Sequence, residues 1–136
     1  MCFLGSEQYP GENDYKSYLA QHGGSSNAST SMHLTTYKFE ILADYAEQAL
    51  DMFSTFFTAP LFTQSGTGRE VNAVDSENSK NLTDDARRRL QILKDLGDPN
   101  HYYTKFSTGN SKTLPTDTPE NLERVRAALL AFHRKH

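Results

Sequence analysis

The sequence predicts an α+β domain in which helices cover a small antiparallel sheet. Apolar and polar residues alternate from residue 36 to residue 42, which is the period of a half-buried antiparallel strand. Helical patterns with their own start and stop signals lie on both sides of this strand. The chain has 136 residues, of which 36% are hydrophobic and 23% charged, and this composition is typical of one globular domain with a moderate core.

The charge and cysteine content narrow the possible partners and compartments. The formal net charge of −3 shows no bias toward nucleic acid or an anionic membrane. The arginines at 87–89 do not change this, because successive helix positions fan around the axis and Asp84 and Asp85 lie nearby in sequence. A single cysteine, Cys2, excludes an internal disulfide and suits a reducing compartment. Since the sequence shows no signal peptide or membrane span, we expect a cytoplasmic location.

The first 24 residues predict one short helix after an unusual start. Residues 1–5 are mostly apolar and carry no capping residue, so they resemble the tail of a helix whose beginning is missing. Asn13 is a suitable N-cap for a helix that ends at Gly23. The expected buried face consists of Tyr15, Tyr18 and Leu19.

Two segments are candidates for the sheet. Residues 25–31 are all small, and they fit either a linker or an edge strand that another backbone approaches closely. Residues 36–42 place Tyr37, Phe39 and Ile41 on one side, which predicts a half-buried strand.

The next helix is expected to begin at a capping box formed by Asp44 and Glu47 and to stop before Pro60. Its predicted buried face consists of Leu50, Phe53 and Phe57.

The longest helical pattern follows. Thr67 and Glu70 fit a capping box, and neither Gly nor Pro occurs between Arg69 and Leu96. We therefore expect one long helix that ends at Gly97. Its second half carries an apolar stripe of Leu82, Ala86, Leu90 and Leu93, which predicts a contact with the core.

Residues 98–118 are irregular and polar, and Thr118 with Pro119 at the first helical position then starts a final helix. Its predicted buried face consists of Leu122, Val125, Leu129 and Phe132.

Glu70 and Glu77 are the most informative polar residues. Because they are seven residues apart, their carboxylates share one helix face and lie about 10 Å apart along the axis. The residues between them on that face, Ala73 and Val74, are apolar. A bound metal ion is one reason to place two carboxylates there. The alternative is that Glu70 serves only its capping box, while Glu77 pairs with Lys80 on a solvated face.

Other chemical motifs are absent. At residues 109–113, Ser111 stands where a phosphate-binding loop needs Gly, and the first Gly of such a loop is absent. No G-x-S-x-G nucleophile turn occurs. The five histidines include no pair spaced i,i+4, and the apolar neighbours of Cys2 do not favour a reactive thiolate.

Five segments in order carry a family resemblance that covers nearly the whole chain: residues 3–10, 24–28, 69–77 followed by 79–81, 105–110 and 130–133. In these segments the chain resembles the insulysin and pitrilysin family of zinc metallopeptidases, the inverted zincins. The best fit is the branch that contains insulysin and nardilysin.

This resemblance implies roles for particular residues. The family binds zinc through the two histidines of an H-x-x-E-H motif and one glutamate downstream, and the motif's own glutamate is the general base. Carried onto this sequence, Glu77 is the zinc ligand, and Glu70 is the second acidic residue that supports catalysis. Asn27 and Ala28 match the strand that pairs with the backbone of a peptide substrate.

The H-x-x-E-H motif itself is absent from the sequence. The resemblance therefore implies a single, incomplete N-terminal peptidase domain at residues 1–136, cut just after the motif, with the remainder of a larger peptidase chain as its partner. One hypothesis is a zinc endopeptidase that hydrolyses oligopeptides or small proteins and is inactive as this chain alone. The other is a non-catalytic module that keeps the fold and binds peptides or a partner.

Overall fold

The computed structural model describes residues 5–136 and has the α+β architecture that the sequence predicts. The apolar start and Cys2 fall within residues 1–4, outside the described residues. In chain order the elements are α1 (Asp14–Gln21), β1 (Ser25–Thr30), β2 (Thr35–Glu40), α2 (Ala46–Thr58), α3 (Gln64–Asn81), α4 (Asp85–Asp95) and α5 (Pro119–Lys135). In the part described, no helix is long and apolar enough to cross a membrane.

The sheet consists of β1 and β2 among the residues described. The strands run antiparallel, with Ser25 opposite Glu40 and Thr30 opposite Thr35. The small residues of segment 25–31 therefore form a strand and not a linker. The hydroxyl of Ser25 donates a hydrogen bond to the carboxylate of Glu40 at 2.9 Å, which joins the two strands at the open end of the hairpin.

The main core lies between α1 and α2, beside the sheet. Its buried members are Tyr15, Leu19, Ala49, Met52 and Phe56, with Phe39 and Phe53 partly buried against them. The prediction for α1 is confirmed, because Tyr15 and Leu19 face this core and Asn13 precedes the first helical residue. The side chain of Asn13 itself accepts no capping hydrogen bond.

The predicted buried face of α2 is wrong. Leu50 is 57% exposed and Phe57 is 43% exposed, and Phe53 alone of the three is partly buried. The core contacts the adjacent face of Ala49, Met52 and Phe56, because α1 packs on that side. The Asp44 and Glu47 capping box is also absent, since a short 3₁₀ turn at Ala43–Tyr45 leads into the helix without a side-chain cap.

The single long helix expected after Thr67 is divided and begins earlier. Thr63 caps α3 by accepting a hydrogen bond from the N–H of Gly66 at 3.1 Å. Thr67 is instead buried inside the helix and is 1% exposed, so it forms no capping box with Glu70. Helix α3 packs against α5, where Gly68 lies beside Leu122.

The chain breaks after α3 because Asp84 starts a new helix. Its carboxylate accepts a hydrogen bond from the N–H of Arg87 at 2.9 Å, an N-cap that separates α4 from α3. The predicted core stripe is consequently wrong, since Leu82 is 66% exposed and Leu93 is 59% exposed. The buried residue of α4 is Lys94.

The start of α5 is confirmed, as Thr118 accepts a hydrogen bond from the N–H of Asn121 at 3.2 Å. Its predicted buried face is confirmed only in part. Leu122, Val125 and Leu129 are partly buried, whereas Phe132 is exposed to solvent. Two polar side chains anchor the helix, one to the loop after α2 and the other to the last turn of α2 itself. Arg126 Nε donates to the carbonyl of Phe62 at 2.5 Å, and His133 Nε2 lies 2.8 Å from the carbonyl of Phe57.

Candidate functional site

Helix α3 carries both candidate carboxylates. Glu70 is half-buried and Glu77 is exposed. The side of the helix next to these carboxylates packs inward through Val71, which is 5% exposed. Arg69, the neighbour of Glu70, forms an ion pair with Glu12 in the turn before α1. The helix is continuous from Gln64 to Asn81, so the i,i+7 spacing keeps the two glutamates on one face.

A loop is tied to α3 close to Glu77. Asp75 accepts a hydrogen bond from the N–H of Ser111 at 2.7 Å, and this bond holds the pKa of the Asp75 carboxyl below its ordinary value. The loop has a tight turn at Gly109, where φ is +88° and an added Cβ would come 3.2 Å from Val74. No local sequence pattern indicates this contact, because Asp75 and Ser111 are 36 residues apart in the chain.

The candidate substrate residues lie on β1. Asn27 faces Lys38 and Ala28 faces Tyr37 across the hairpin. The N–H of Ala28 is bonded to Asn27 Oδ1 at 2.8 Å. The main contacts of β1 are with α1 and β2, whereas those of α3 are with α5.

The chemistry of zinc tests this donor set. A catalytic zinc site takes three protein ligands and leaves one position open. Glu77 provides an accessible carboxylate of a suitable kind. Among residues 5–136, however, no group of three His, Cys, Asp or Glu side chains is arranged to hold a metal ion. The described residues therefore do not form a zinc site alone.

A cavity of about 580 Å³ opens next to the C-terminal end of α3. Asn78 and Asn81 of α3 line one side, and the opposite walls come from α4 and from the loop at 106–108. Neither Glu70 nor Glu77 lines it. The sequence does not predict this cavity. It predicts one continuous helix, whereas the cavity forms between two separate helices, α3 and α4.

Comparisons with known proteins agree on one family. The sequence profile of the insulinase family, peptidase family M16, matches residues 1–100, a range that includes all four candidate residues. The chain is 51% identical over 134 residues to the A-factor-processing enzyme of Saccharomyces cerevisiae, and 49% identical over 133 residues to the human insulin-degrading enzyme. These alignments cover 98% of this chain but only 13% of each relative.

A solved structure shows the same relationship. The crystal structure of pitrilysin superposes with a TM-score of 0.86 at 37% identity, covering 100% of this chain and 14% of that one. An M16 inactive domain from Pseudomonas fluorescens shares the fold, with a TM-score of 0.73 at 18% identity over 93% of this chain and 31% of that one. The chain belongs to the insulinase family of zinc metallopeptidases, peptidase family M16.

Proposed function

We propose that this chain forms part of a zinc-dependent endopeptidase that hydrolyses peptides, and that Glu77 is the carboxylate ligand it contributes. The observation that carries the proposal is the motif at residues 69–77 on one continuous helix, within the segment that matches the family profile. Glu70, on the same face, is proposed to support catalysis, and Asn27 and Ala28 to pair with the substrate backbone. The names of two relatives refer to insulin and to A-factor, which supports peptides as the substrate class.

The same proposal makes this chain inactive alone. Residues 5–136 offer Glu77 without two further donors beside it, and the sequence contains no H-x-x-E-H glutamate to act as the general base. The missing groups therefore have to come from another segment. The relatives are long enough to supply one, since this chain spans about 13% of their length.

A non-catalytic module is the second candidate. It is favoured by the same incomplete donor set, combined with a two-stranded sheet in the described part of the chain. Strand β1 would then bind an extended peptide by strand addition without cleaving it. The cytoplasmic location expected from the sequence stays a prediction under either candidate.

A graft experiment separates the two candidates. This chain replaces the matching segment of the Saccharomyces cerevisiae A-factor-processing enzyme, and the purified graft is assayed for cleavage of an unstructured fluorogenic peptide. We expect chelator-sensitive cleavage by the graft and its loss in the Glu77→Gln variant. Glu70→Gln should lower kcat by about 10²-fold or more, within the usual range for a group that assists proton transfer.

The control is Glu47→Gln, which removes an exposed carboxylate on α2 by the same chemical change. It should cleave at the rate of the unsubstituted graft. A folded graft that binds the peptide but does not cleave it, beside an active parent enzyme, would support the non-catalytic module instead.

A further inference from the structure

The cavity at the corner of α3 and α4 lies one helical turn from Glu77. Asn81 lines the cavity and follows Glu77 by four residues, so the two side chains share a face and are about 6 Å apart along the axis. A peptide held beside Glu77 would therefore reach this cavity with a neighbouring side chain.

The charged side chains that line the cavity are all positive. Arg87, Arg88 and Lys94 line it, and its lining as described contains no Asp or Glu. This is unusual in a chain whose net charge is −3. A cavity with cations and no internal counter-charge favours an anionic ligand.

The three cations differ in what they already bind. The ammonium of Lys94 donates to the carbonyl of Lys105 at 3.0 Å and to the hydroxyl of Ser107 at 2.9 Å, so it holds the loop wall in place. Arg88 lies 3.5 Å from the carboxylate of Asp85 on its own helix. The guanidinium of Arg87 forms no hydrogen bond or ion pair with any described residue, so its donors are available to a ligand.

The remaining walls are suited to a side chain that is apolar along its length. Leu82, Leu90, Ile92 and Phe106 line the cavity, and Leu82 and Ile92 are more than half exposed. The methylene groups of such a ligand side chain would pack against these residues. Its terminal carboxylate would reach the guanidinium of Arg87, which can bind a carboxylate through two parallel hydrogen bonds.

We propose that this cavity is a specificity pocket that accepts an acidic side chain of a bound peptide, with Arg87 as the residue that recognises it. The inference rests on the proposed function in taking as the ligand a peptide that is held beside Glu77. It makes Glu, with its two methylene groups, the preferred residue, and it places that residue close to the backbone held near Glu77.

The test measures binding and needs no metal. The 136-residue chain is titrated, with a chelator present, against fluorescein-labelled peptides that differ at one central position, Glu, Gln or Lys, each with an amidated C-terminus. We expect the Glu peptide to bind about fivefold more tightly than the Gln peptide at low salt, the range for a partly exposed charge-assisted pair. Arg87→Gln should abolish this difference, and Arg87→Glu should reverse the preference toward Lys.

The matched control is Arg89→Gln, on the same helix but outside the cavity lining. It should keep the Glu preference, and circular dichroism checks that each variant is folded. Equal binding of the Glu and Gln peptides would overturn the proposal, as would the same loss in both arginine variants. A Gln peptide with a free C-terminal carboxylate that binds as well as the Glu peptide would assign the pocket to a chain end instead. A failure here leaves the graft experiment untouched, because that experiment depends on Glu77 and not on Arg87.

Discussion

At the scale of single residues, a few polar contacts fix the orientation of α3. Asp75 connects the helix to the loop at Ser111, and Gln64 donates to Glu123 of α5 at 2.9 Å. Val71 is buried between these contacts. These three positions project from the same side of α3, about a third of a turn from Glu70, so together they fix which side packs inward and hence the rotation of the helix about its own axis. That rotation decides where the face of Glu70 and Glu77 points.

Asp75→Asn tests the tie between α3 and the loop. The N–H of Ser111 holds the pKa of Asp75 below its ordinary value. A carboxyl group whose pKa is lower in the folded chain stabilises the fold above the unfolded pKa of about 3.9, and this stabilisation is lost as the pH falls through the folded pKa. We expect Asp75→Asn to lower the urea midpoint of unfolding at neutral pH. The difference in urea midpoint between the variant and the wild type should shrink progressively below about pH 4. Asp44→Asn controls for the loss of an exposed charge, and a gap that is independent of pH would contradict the account.

Tyr15→Phe tests the core at alkaline pH. Burial raises the pKa of Tyr15 to about 12, with only partial opposition from the nearby hydroxyl of Ser26. A tyrosine with a raised folded pKa contributes stability that is complete below the unfolded pKa of about 10 and is lost as the pH rises toward 12. Between those values, the free energy of unfolding of wild type should fall relative to Tyr15→Phe by at most about 3 kcal/mol. Parallel curves from denaturant titrations across this range would show that the hydroxyl is not buried.

At the scale of elements, the sequence predicts α1 and α5 well and fails at boundaries and buried faces that depend on packing or on a single cap. The α5 cap at Thr118 and the α1 core residues Tyr15 and Leu19 follow from local patterns, and the structure confirms them. The buried face of α2 depends on where α1 packs, which is not a local property. Helical spacing predicts that Phe57 is buried with Leu50 and Phe53, yet Phe57 is 43% exposed, with its ring centroid 5.3 Å from that of Tyr37.

The break between α3 and α4 was missed for a related reason. The absence of Gly and Pro from this stretch predicted continuity, but one carboxylate, that of Asp84, is sufficient to start a second helix. The position of Glu77 could be predicted from its motif, because the motif is contiguous in sequence. The cavity with Arg87 could not, because it exists only where two helices meet at an angle.

A pair of substitutions on α2 tests the corrected buried face. Met52 is 5% exposed in the core, whereas Leu50 is 57% exposed. Met52→Ala should lower the free energy of unfolding by about 2–4 kcal/mol through lost burial and a residual cavity. Leu50→Ala should change it by less than about 0.5 kcal/mol. Denaturant titration of both variants compares them directly, and the opposite order would restore the face predicted from the sequence.

At the scale of the whole molecule, the chain presents surfaces that suit assembly with more protein. Leu82, Leu93 and Leu96 are exposed on and beside α4, as is Phe132 on α5. The sheet has two strands in the described region, fewer than an independently stable sheet usually needs. This chain also spans only about 13% of the length of its relatives. These features support the proposal that peptide hydrolysis belongs to a larger assembly.

Zinc binding by the graft tests the central claim most directly. The graft in the A-factor-processing enzyme, its Glu77→Gln and Glu47→Gln variants and the parent enzyme are dialysed and titrated with zinc, with melting curves to confirm folding. We expect the unsubstituted graft and Glu47→Gln to bind zinc as the parent does. Substitution of a residue that supports a metal ligand typically lowers the metal affinity by roughly 10–100-fold. Because Glu77→Gln alters the proposed ligand itself, we expect its zinc affinity to fall by at least that factor. If Glu77→Gln binds zinc as tightly as the unsubstituted graft, Glu77 is not a ligand and the account is wrong.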